Sequence, residues 1–313
     1  LQMGATEEIL LKYQSSLEDF LTQHLNVLLD LYDLSERYEP DPPLIHAVKW
    51  LEGKTGIHSF KLKLFNILGY HSLCKINHLI QAPLVSFIIT TYNMPTEYLE
   101  ECLKSILQLS LNAKEREIIL VDDGSDICAI NGLTEYLSQI IYLRQPNRGA
   151  SVARNYGMMI AKGRFIQFMD GDDYLVQTAY EHCLDIVRYH QPDIVTFNYV
   201  KNRQTDTPPY ELPTPISGTT YMSNHNLHGS ACSYIFRSSI RGTLQFTPGI
   251  VYGEDEEFTP QLFLRAERIF KMETEAYYYR ENPNSVTHQM DHEKISQKMD
   301  NSLEVILNLQ KLL

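Results

Sequence analysis

The sequence predicts an α/β protein built around a Rossmann-like, mostly parallel sheet flanked by helices, and two observations support this fold class. From residue 83 onward, short apolar runs typical of buried strands alternate with amphipathic runs typical of helices. Three of the apolar runs end in polar or acidic residues, at 91–93, 122–125 and 170–173. Because right-handed crossovers bring the carboxyl ends of parallel strands to one edge of a sheet, these polar ends are expected to share a ligand site.

The individual elements are predicted from hydrophobic pattern and residue type. Buried strands are expected at 85–90, 117–121, 140–143, 165–169 and 194–199. Helices are expected at 97–109, 149–161 and 258–268, where apolar residues recur every three or four positions. Further strands are expected at 230–236 and 277–279, and the proline-rich stretch 201–215 is expected to form a long loop over the site. The three tyrosines of 277–279 could either pack in the core or stack their aromatic faces on a ligand.

Amphipathic helices are predicted at both ends of the chain. Residues 1–82 form a predicted helical extension, with apolar positions at helical spacing in 6–32 and 62–79 and a proline cluster between them. Residues 291–313 form a predicted C-terminal helix that ends in leucines. These terminal helices are expected to contact the main domain, a protein partner or a membrane surface.

Composition narrows the class of protein. The chain has 313 residues, of which 43% are hydrophobic, and a formal net charge of −12. That acidic balance argues against a nucleic-acid partner, because binding to phosphates needs clustered Lys and Arg. The five cysteines are scattered and odd in number, which favours free thiols in a reducing cytoplasm over disulfides or a zinc site. No apolar run approaches the roughly 20 residues of a membrane span, so we expect a cytoplasmic protein, peripheral at most to the inner face of the membrane.

The densest chemical signal is the stretch 165–174, FIQFMDGDDY, where an apolar strand runs directly into Asp170, Asp172 and Asp173. Carboxylates this close raise one another's pKa, so the ionised cluster needs a cation or hydrogen-bond donors. A simple strand-to-helix turn with one Asp as N-cap accounts for one of the three. The conventional nucleotide fingerprints GxxxxGK[ST] and GxGxxG are missing from the sequence.

Four motifs, in their order and spacing, resemble the nucleotide-sugar-binding half of a family 2 glycosyltransferase with the GT-A fold. They are TTYN at 90–93, VDDGS at 121–125, NRGASVARNYG at 147–157 and FMDGDDY at 168–174. The resemblance implies a GT-A domain over 83–290, with a nucleotide-sugar-binding half at 83–197 and an acceptor-binding half at 198–290. Residues 1–82 lie outside the resemblance.

The resemblance also implies a role for individual residues on the donor side. Thr90 and Tyr92 would line the uracil or another base, and Asp123 would accept its imide N–H. Arg154 would contact the base or a phosphate, and Asp170 would lie near the ribose. The donor-binding set implied by the family pattern is Thr90, Tyr92, Asn93, Asp122, Asp123, Arg154 and Asp170.

For the metal and the acceptor, the resemblance makes Asp170-Gly171-Asp172 the DxD motif, with Asp172 binding Mn²⁺ or Mg²⁺. His288 would be a second contact to the metal and phosphates. Asp255 would be the general base on the acceptor hydroxyl, with Glu254 beside it. Asp173 would be the N-cap of the turn or an acid behind the metal ligands. A dication stabilises the charge on the departing diphosphate, and a carboxylate on the opposite face takes the acceptor proton, which inverts the anomeric centre.

The sequence therefore predicts a hexosyl- or N-acetylhexosaminyltransferase that uses a UDP-sugar in polysaccharide biosynthesis, with a glycan, polysaccharide or lipid-linked acceptor. Two alternatives remain open at this stage. One is a nucleotidyltransferase-like enzyme, which would normally carry a glycine-rich loop and a basic residue near its first strand. The other is a non-catalytic module that binds a sugar nucleotide or a glycan.

Overall fold

The computed structural model describes residues 82–200, 211–227, 229–281 and 292–311, all within the compact unit Ala82–Leu313. The predicted helices at 6–32 and 62–79, most of the predicted loop at 201–215, and His288 lie outside the described residues. The strands in chain order are β1 (Val85–Thr91), β2 (Arg116–Asp122), β3 (Ile141–Arg144), β4 (Phe165–Asp170), β5 (Tyr174–Leu175), β6 (Ile194–Val200), β7 (Tyr234–Arg237) and β8 (Ile269–Tyr278). The helices are α1 (Thr96–Leu107), α2 (Ala150–Ile160), α3 (Gln177–Tyr189), α4 (Gly218–Asn224), α5 (Ser238–Arg241), α6 (Glu254–Phe263) and α7 (His292–Gln310).

These strands form one mixed sheet in the order β3-β2-β1-β4-β7-β6-β8-β5. The first four strands of that order are parallel, as the alternating pattern predicts. Strand β7 pairs antiparallel with both β4 and β6, and the short β5 pairs antiparallel with β8. The α/β fold class is confirmed, and the two reversed strands make the sheet mixed.

The inner strands of the parallel half are largely buried, whereas the edge strand β3 is partly exposed. All seven residues of β1 are buried. Helix α2 packs against β1 and β2. A Cβ on Gly157 would lie 2.3 Å from Cγ2 of Ile88, so only glycine allows α2 to approach β1 this closely.

The antiparallel half of the sheet differs from the prediction at three elements. A 3₁₀ turn at Ala231–Ser233 precedes β7, where one continuous strand was expected. The helix expected at 258–268 begins earlier, at Glu254, and ends at Phe263, because the following residues turn into β8. Strand β8 starts at Ile269 rather than 277, and its exposed and buried residues alternate along most of its length. That alternation is the normal pattern of a half-buried strand and was a signal available in the sequence.

Aromatic packing beneath the carboxyl end of β4 ties the two halves together. The ring of Phe168 on β4 meets Phe246 edge-on at 5.4 Å and Phe258 at 6.2 Å between centroids. Phe246 and Phe258 stack face to face at 4.1 Å. Burying each such ring contributes about 2–3 kcal/mol, so this cluster anchors α6 directly below the edge where the acidic residues lie.

Candidate active site

A cavity of about 640 Å³ opens at the carboxyl ends of β1 and β4. It is the site that the polar strand ends predict. Most of the predicted site residues line it: Thr90, Tyr92, Asp123, Arg154, Asp170, Asp172, Glu254 and Asp255. The donor-side and acceptor-side residues therefore share one cavity.

Asp123 links the end of β2 to the start of α2. Its Oδ1 accepts hydrogen bonds from Gln145 Nε2 at 2.7 Å and from the Arg148 amide at 2.9 Å. Its Oδ2 accepts one from the Gly149 amide at 2.8 Å. The two oxygens offer about four acceptor positions, so the carboxylate keeps capacity for one more donor on the cavity side.

Asp122 has no access to the cavity. Its side chain is fully buried and accepts hydrogen bonds from the amides of Ser125 and Ala129 and from the Tyr142 hydroxyl. These hydrogen bonds lower the pKa of Asp122 even though burial acts in the opposite direction. We therefore correct its expected role from donor contact to support of the loop that follows β2.

Asn93 also lies outside the cavity lining among the described residues. It adopts a positive φ of 47°, which Asn tolerates better than most residues. Its side chain exchanges hydrogen bonds with Asp126, and its amide donates to Ser125 Oγ at 2.9 Å. Asn93 therefore joins the loops after β1 and β2, and we correct its expected role accordingly.

The three aspartates after β4 separate into two groups. All three line the cavity, but Asp173 is buried and accepts hydrogen bonds from the Tyr277 hydroxyl at 2.7 Å and the Arg280 amide at 2.8 Å. Burial, and then the charge of Asp170, raises the pKa of Asp173 to about 8. The N-cap prediction for Asp173 is wrong, because α3 begins at Gln177 after Val176.

Arg154 connects the donor side of the cavity to the acceptor side. Its side chain is only 5% exposed, and its Nη1 lies 3.0 Å from Glu254 Oε1 and 3.0 Å from Asp255 Oδ1. Its Nη2 lies 3.2 Å from Asp170 Oδ1, and its guanidinium carbon lies 5.3 Å from the centre of the Phe246 ring. Burial alone would lower the pKa of Arg154, but the three carboxylates raise it, so the guanidinium stays charged. Arg154 is therefore buried within the site and does not lie along the protein surface.

The acidic pair Glu254 and Asp255 opens helix α6. Asp255 Oδ2 accepts a hydrogen bond from the Ala231 amide at 3.0 Å, while Oδ1 faces Arg154. Burial raises the pKa of Asp255, and Arg154 opposes that rise. Burial, and then the charge of Asp255, raises the pKa of Glu254 to about 7. A carboxylate with a raised pKa in a cavity can accept a proton near neutral pH.

The cavity offers a metal ion only part of a ligand set. Within the part of the chain that the structure describes, no group of three or more His, Cys, Asp or Glu is arranged to hold a metal. Asp170 and Asp172 supply hard carboxylate oxygens, whereas the carboxylate of Asp173, which also lines the cavity, already accepts hydrogen bonds from Tyr277 and Arg280. Mg²⁺ and its analogues commonly use one or two protein carboxylates and complete the shell with phosphate oxygens and water. The two aspartates fit that arrangement.

Two residues shape the site in ways that the sequence did not indicate, one in β8 and one just after it. Tyr277 is buried at the cavity wall, and its hydroxyl donates a hydrogen bond to Asp173. Arg280 donates from Nε to the Asp172 carbonyl at 2.7 Å, and its guanidinium lies 4.2 Å from the centre of the Tyr98 ring. No local sequence pattern predicts these hydrogen bonds to Asp173 and Asp172, because each joins residues about a hundred positions apart in sequence. The alternation along 269–278 could have located the strand that carries them.

The fold and the cavity define a class of protein, namely an α/β domain of the GT-A type with an acidic site at the carboxyl edge of its parallel strands. Residues 86–240 match the model of glycosyl transferase family 2. The chain belongs to this family.

Two relatives illustrate the match. The chain is 33% identical over 220 residues to the uncharacterized glycosyltransferase EpsJ of Bacillus subtilis, covering 66% of this chain and 63% of EpsJ. It is 24% identical over 200 residues to the poly(ribitol-phosphate) β-N-acetylglucosaminyltransferase TarS of Staphylococcus aureus, covering 62% of this chain and 35% of TarS. The chain thus spans less than two thirds of the length of either relative.

Solved structures show the same fold. The S. aureus TarS 1–349 structure in complex with UDP superposes with a TM-score of 0.54 and 24% identity, covering 72% of this chain and 65% of that one. The structure of TarS 1–349 in complex with UDP-GlcNAc gives a TM-score of 0.57 and 20% identity, covering 72% and 66%. At these identities the likeness establishes the GT-A fold of the described residues.

Proposed function

We propose that this protein transfers a hexosyl or N-acetylhexosaminyl group from a UDP-sugar to a glycan, polysaccharide or lipid-linked acceptor. The observation that carries this proposal is the meeting of donor-side and acceptor-side acids around Arg154 in one cavity. A nucleotide sugar needs carboxylates that can hold a dication for its diphosphate beside an acceptor base, and this arrangement has acids for both roles. The UDP and UDP-GlcNAc complexes of TarS, and the poly(ribitol-phosphate) β-glucosyltransferase among the relatives, support this donor class.

On the donor side, Thr90, Tyr92 and Asp123 would hold the nucleoside. Tyr92 is about half exposed, so its ring is available to a planar base. The free acceptor position of Asp123 suits the imide N–H of uracil, which cytosine lacks in its neutral form. Asp123 is fixed by two backbone amides at the start of α2, so it would need little reorganisation to bind.

Asp170 and Asp172 are the residues that would hold Mn²⁺ or Mg²⁺. Such an ion, when bound, stabilises the negative charge that grows on the departing diphosphate. Asp170 Oδ1 lies 3.2 Å from Arg154 Nη2, a contact that orients this carboxylate at the cavity wall. His288 stays a predicted further contact to the metal and phosphates.

On the acceptor side, Asp255 would take the proton from the attacking hydroxyl. The hydroxyl oxygen forms a bond to the anomeric carbon while the bond from that carbon to the diphosphate oxygen breaks on the opposite face. A single in-line displacement of this kind inverts the anomeric centre. Arg154 and the Ala231 amide orient the carboxylate, and Glu254 shares Arg154 with it.

The test is a thermal-shift comparison of UDP, GDP and ADP, each with and without Mn²⁺. A ligand that binds only the folded state at 100 times its Kd stabilises it by about 2.7 kcal/mol. We expect the largest shift with UDP and Mn²⁺, and we expect Asp172→Ala to abolish the Mn²⁺-dependent part. Asp185→Ala on α3, which removes a carboxylate outside the cavity lining, is the matched control and should keep the shift.

The outcomes separate the alternatives. No shift with any nucleotide and metal would refute the proposal. A UDP shift in a protein that releases no UDP from UDP-GlcNAc or UDP-glucose would instead favour a non-catalytic binding module. Release of pyrophosphate from UTP and a sugar phosphate would favour a nucleotidyltransferase.

Contact with a membrane surface or a protein partner is part of the proposal and rests on helix α7. This helix exposes a set of apolar side chains: Ile295, Met299, Leu303, Ile306 and Leu307. Among the described residues, no helix is both long and apolar enough to cross a bilayer. Either contact, with a membrane surface or with a protein partner, would be made along this exposed face of the helix.

A further inference from the structure

The backbone that carries the proposed base is held by helix α7. Helix α6 begins at Glu254, and the residue before it, Gly253, has a positive φ of 79° and no side chain with which to cap the helix. The position of Asp255 therefore depends on what fixes the turn at 250–253. Two of the amides in this turn, those of Val251 and Tyr252, donate to a single side-chain oxygen, Asn301 Oδ1, at 3.0 and 3.3 Å.

Asn301 is a buried polar residue on a helix whose other side is exposed. It is 7% exposed, whereas several apolar residues on the same helix are about half exposed. A buried polar side chain is retained when it satisfies partners that would otherwise be unpaired. Here it satisfies two backbone amides of the turn at 250–253, and it does so from a helix that lies beyond the family match at 86–240.

Two more residues on the same face of α7 support this contact, at the helical spacing that aligns side chains on one face. Val305 is 4% exposed, and its Cγ2 lies 3.8 Å from the point where a Cβ on Gly253 would stand. Asn308 Nδ2 donates to Glu257 Oε1 at 3.3 Å, one turn further along α6. Helix α7 thus contacts both the segment 250–253 and the first turn of helix α6.

The other side of the turn is held by the donor half. Ser151 Oγ on α2 donates to the Ile250 carbonyl at 3.1 Å. The turn is therefore fixed between α2, which also carries Arg154, and α7. Arg154 and the Ala231 amide orient the Asp255 carboxylate, whereas Asn301 fixes the backbone from which that carboxylate extends.

We propose that Asn301 is a positioning residue for the general base, so that helix α7 is part of the catalytic machinery. The inference rests on the proposed function, because it assigns Asn301 to the placement of Asp255. A displacement of about 1 Å in a reacting group can cost about 10²-fold in rate. Loss of Asn301 should therefore lower kcat, while the donor site on the other wall of the cavity stays intact.

The experiment measures UDP release from whichever of UDP-GlcNAc and UDP-glucose the wild type hydrolyses faster, with water as acceptor. We expect Asn301→Ala to lower kcat by about tenfold to a hundredfold and to leave the Kd for UDP and Mn²⁺ within about twofold of the wild-type value. Asn301→Asp keeps an acceptor oxygen for both amides and should restore most of kcat. Hydrogen exchange at the Val251 and Tyr252 amides should be faster in Asn301→Ala and slow again in Asn301→Asp.

Asn308→Ala is the matched control, because it removes the same side chain from the same helix without touching the turn. It should change stability and leave kcat within about twofold of the wild-type value. Unchanged kcat in Asn301→Ala, or an equal loss of kcat in Asn308→Ala, would overturn the inference and leave Asn301 as a structural contact. Failure of the proposed function has a different signature, since wild-type protein would then show no shift with UDP and Mn²⁺.

Discussion

The donor wall and the acceptor wall of the cavity are assembled in different ways. On the donor wall, Asp123 directly follows strand β2 and is held by the amides of Arg148 and Gly149, just before the next helix along the chain. On the acceptor wall, Asp255 is held by Arg154, which lies about a hundred residues away in sequence, and by the Ala231 amide. The donor wall therefore depends on local turns, and the acceptor wall depends on contacts between distant segments.

This difference predicts that substitutions at the acceptor wall act mainly on turnover and on the coupling between the walls, whereas substitutions at the donor wall act mainly on backbone geometry and nucleotide affinity. Substitutions at each wall test that division.

Asp255→Asn should have the largest effect on activity. The amide cannot take a proton from the acceptor, and general-base catalysis contributes about 10²–10⁴-fold. We expect kcat for UDP release to fall by that factor while UDP and Mn²⁺ still stabilise the fold. Glu256→Gln, at the exposed neighbouring position, is the control and should retain activity. If Asp255→Asn turned over at the wild-type rate, Asp255 would not be the general base.

Arg154→Met should have the largest effect on stability. It leaves Asp170, Glu254 and Asp255 close together without their shared cation, and removing one partner of a buried ion pair costs about 3–5 kcal/mol. Urea unfolding at pH 7.5 measures this loss. Arg154→Lys keeps the charge but cannot contact the carboxylates with two separate nitrogens, so we expect a smaller loss.

The control for Arg154 is Arg148→Met, an exposed arginine of the same sequence motif. Surface substitutions of this kind stay within about 0.5 kcal/mol. Equal stability losses at the two positions would contradict the description of Arg154 as the buried link between the walls.

The two walls also differ in how far the sequence alone could predict them. The donor wall was predictable, because Asp123 and Asp170 directly follow apolar runs that can only be buried strands. Hydrophobic pattern could not decide between Asp122 and Asp123, because two adjacent acids follow the same apolar run and the pattern does not show which one faces the cavity. Alternation along β2 sends their side chains to opposite faces, so only one of them could.

The acceptor wall was predictable only through the family resemblance, which pointed to Asp255 but not to its surroundings. Tyr277, Arg280 and Asn301 reach the site from strands and helices distant in sequence, and hydrophobic patterns carry no information about such contacts. A strand was expected where β7 lies, but its reversed direction was not, because periodicity identifies a strand and says nothing of its direction. The two-residue strand β5 was missed altogether.

Gly124→Ala should disturb the donor wall more than Gly149→Ala. Both glycines have positive φ, +83° and +89°, so any side chain there costs about 1–3 kcal/mol of backbone strain. A Cβ on Gly124 would also lie 2.5 Å from the backbone nitrogen of Asn147, whereas a Cβ on Gly149 would meet nothing within 4 Å. Each variant is the control for the other, with urea unfolding and UDP affinity as readouts. Equal losses would mean that the close backbone approach beside Asp123 does not matter.

Glu254→Gln should have the smallest effect, a shift in pH dependence. Burial and the charge of Asp255 raise the pKa of Glu254 to about 7, and burial raises that of Asp255. The pair titrates together, and the base works only when ionised, so kcat/KM should fall as the pH drops through this raised range. Glu254→Gln removes the like charge and leaves Arg154 to Asp255, which should move the acid limb to lower pH by about one unit or less.

The free energy of unfolding should also depend on pH, and it should fall as the pH rises. Glu254 binds its proton more tightly in the folded state than in the unfolded chain, so wild-type stability should decline as the pH rises from about 4.5 to about 7. Glu254→Gln has no proton to lose there and should show a smaller decline in urea unfolding between pH 5 and pH 8. Glu267→Gln, which changes an exposed glutamate outside the cavity lining, should behave like the wild type in both measurements. An acid limb that stays in place in Glu254→Gln would mean that the two acids titrate independently, and the acceptor wall would then lack the coupling that distinguishes it from the donor wall.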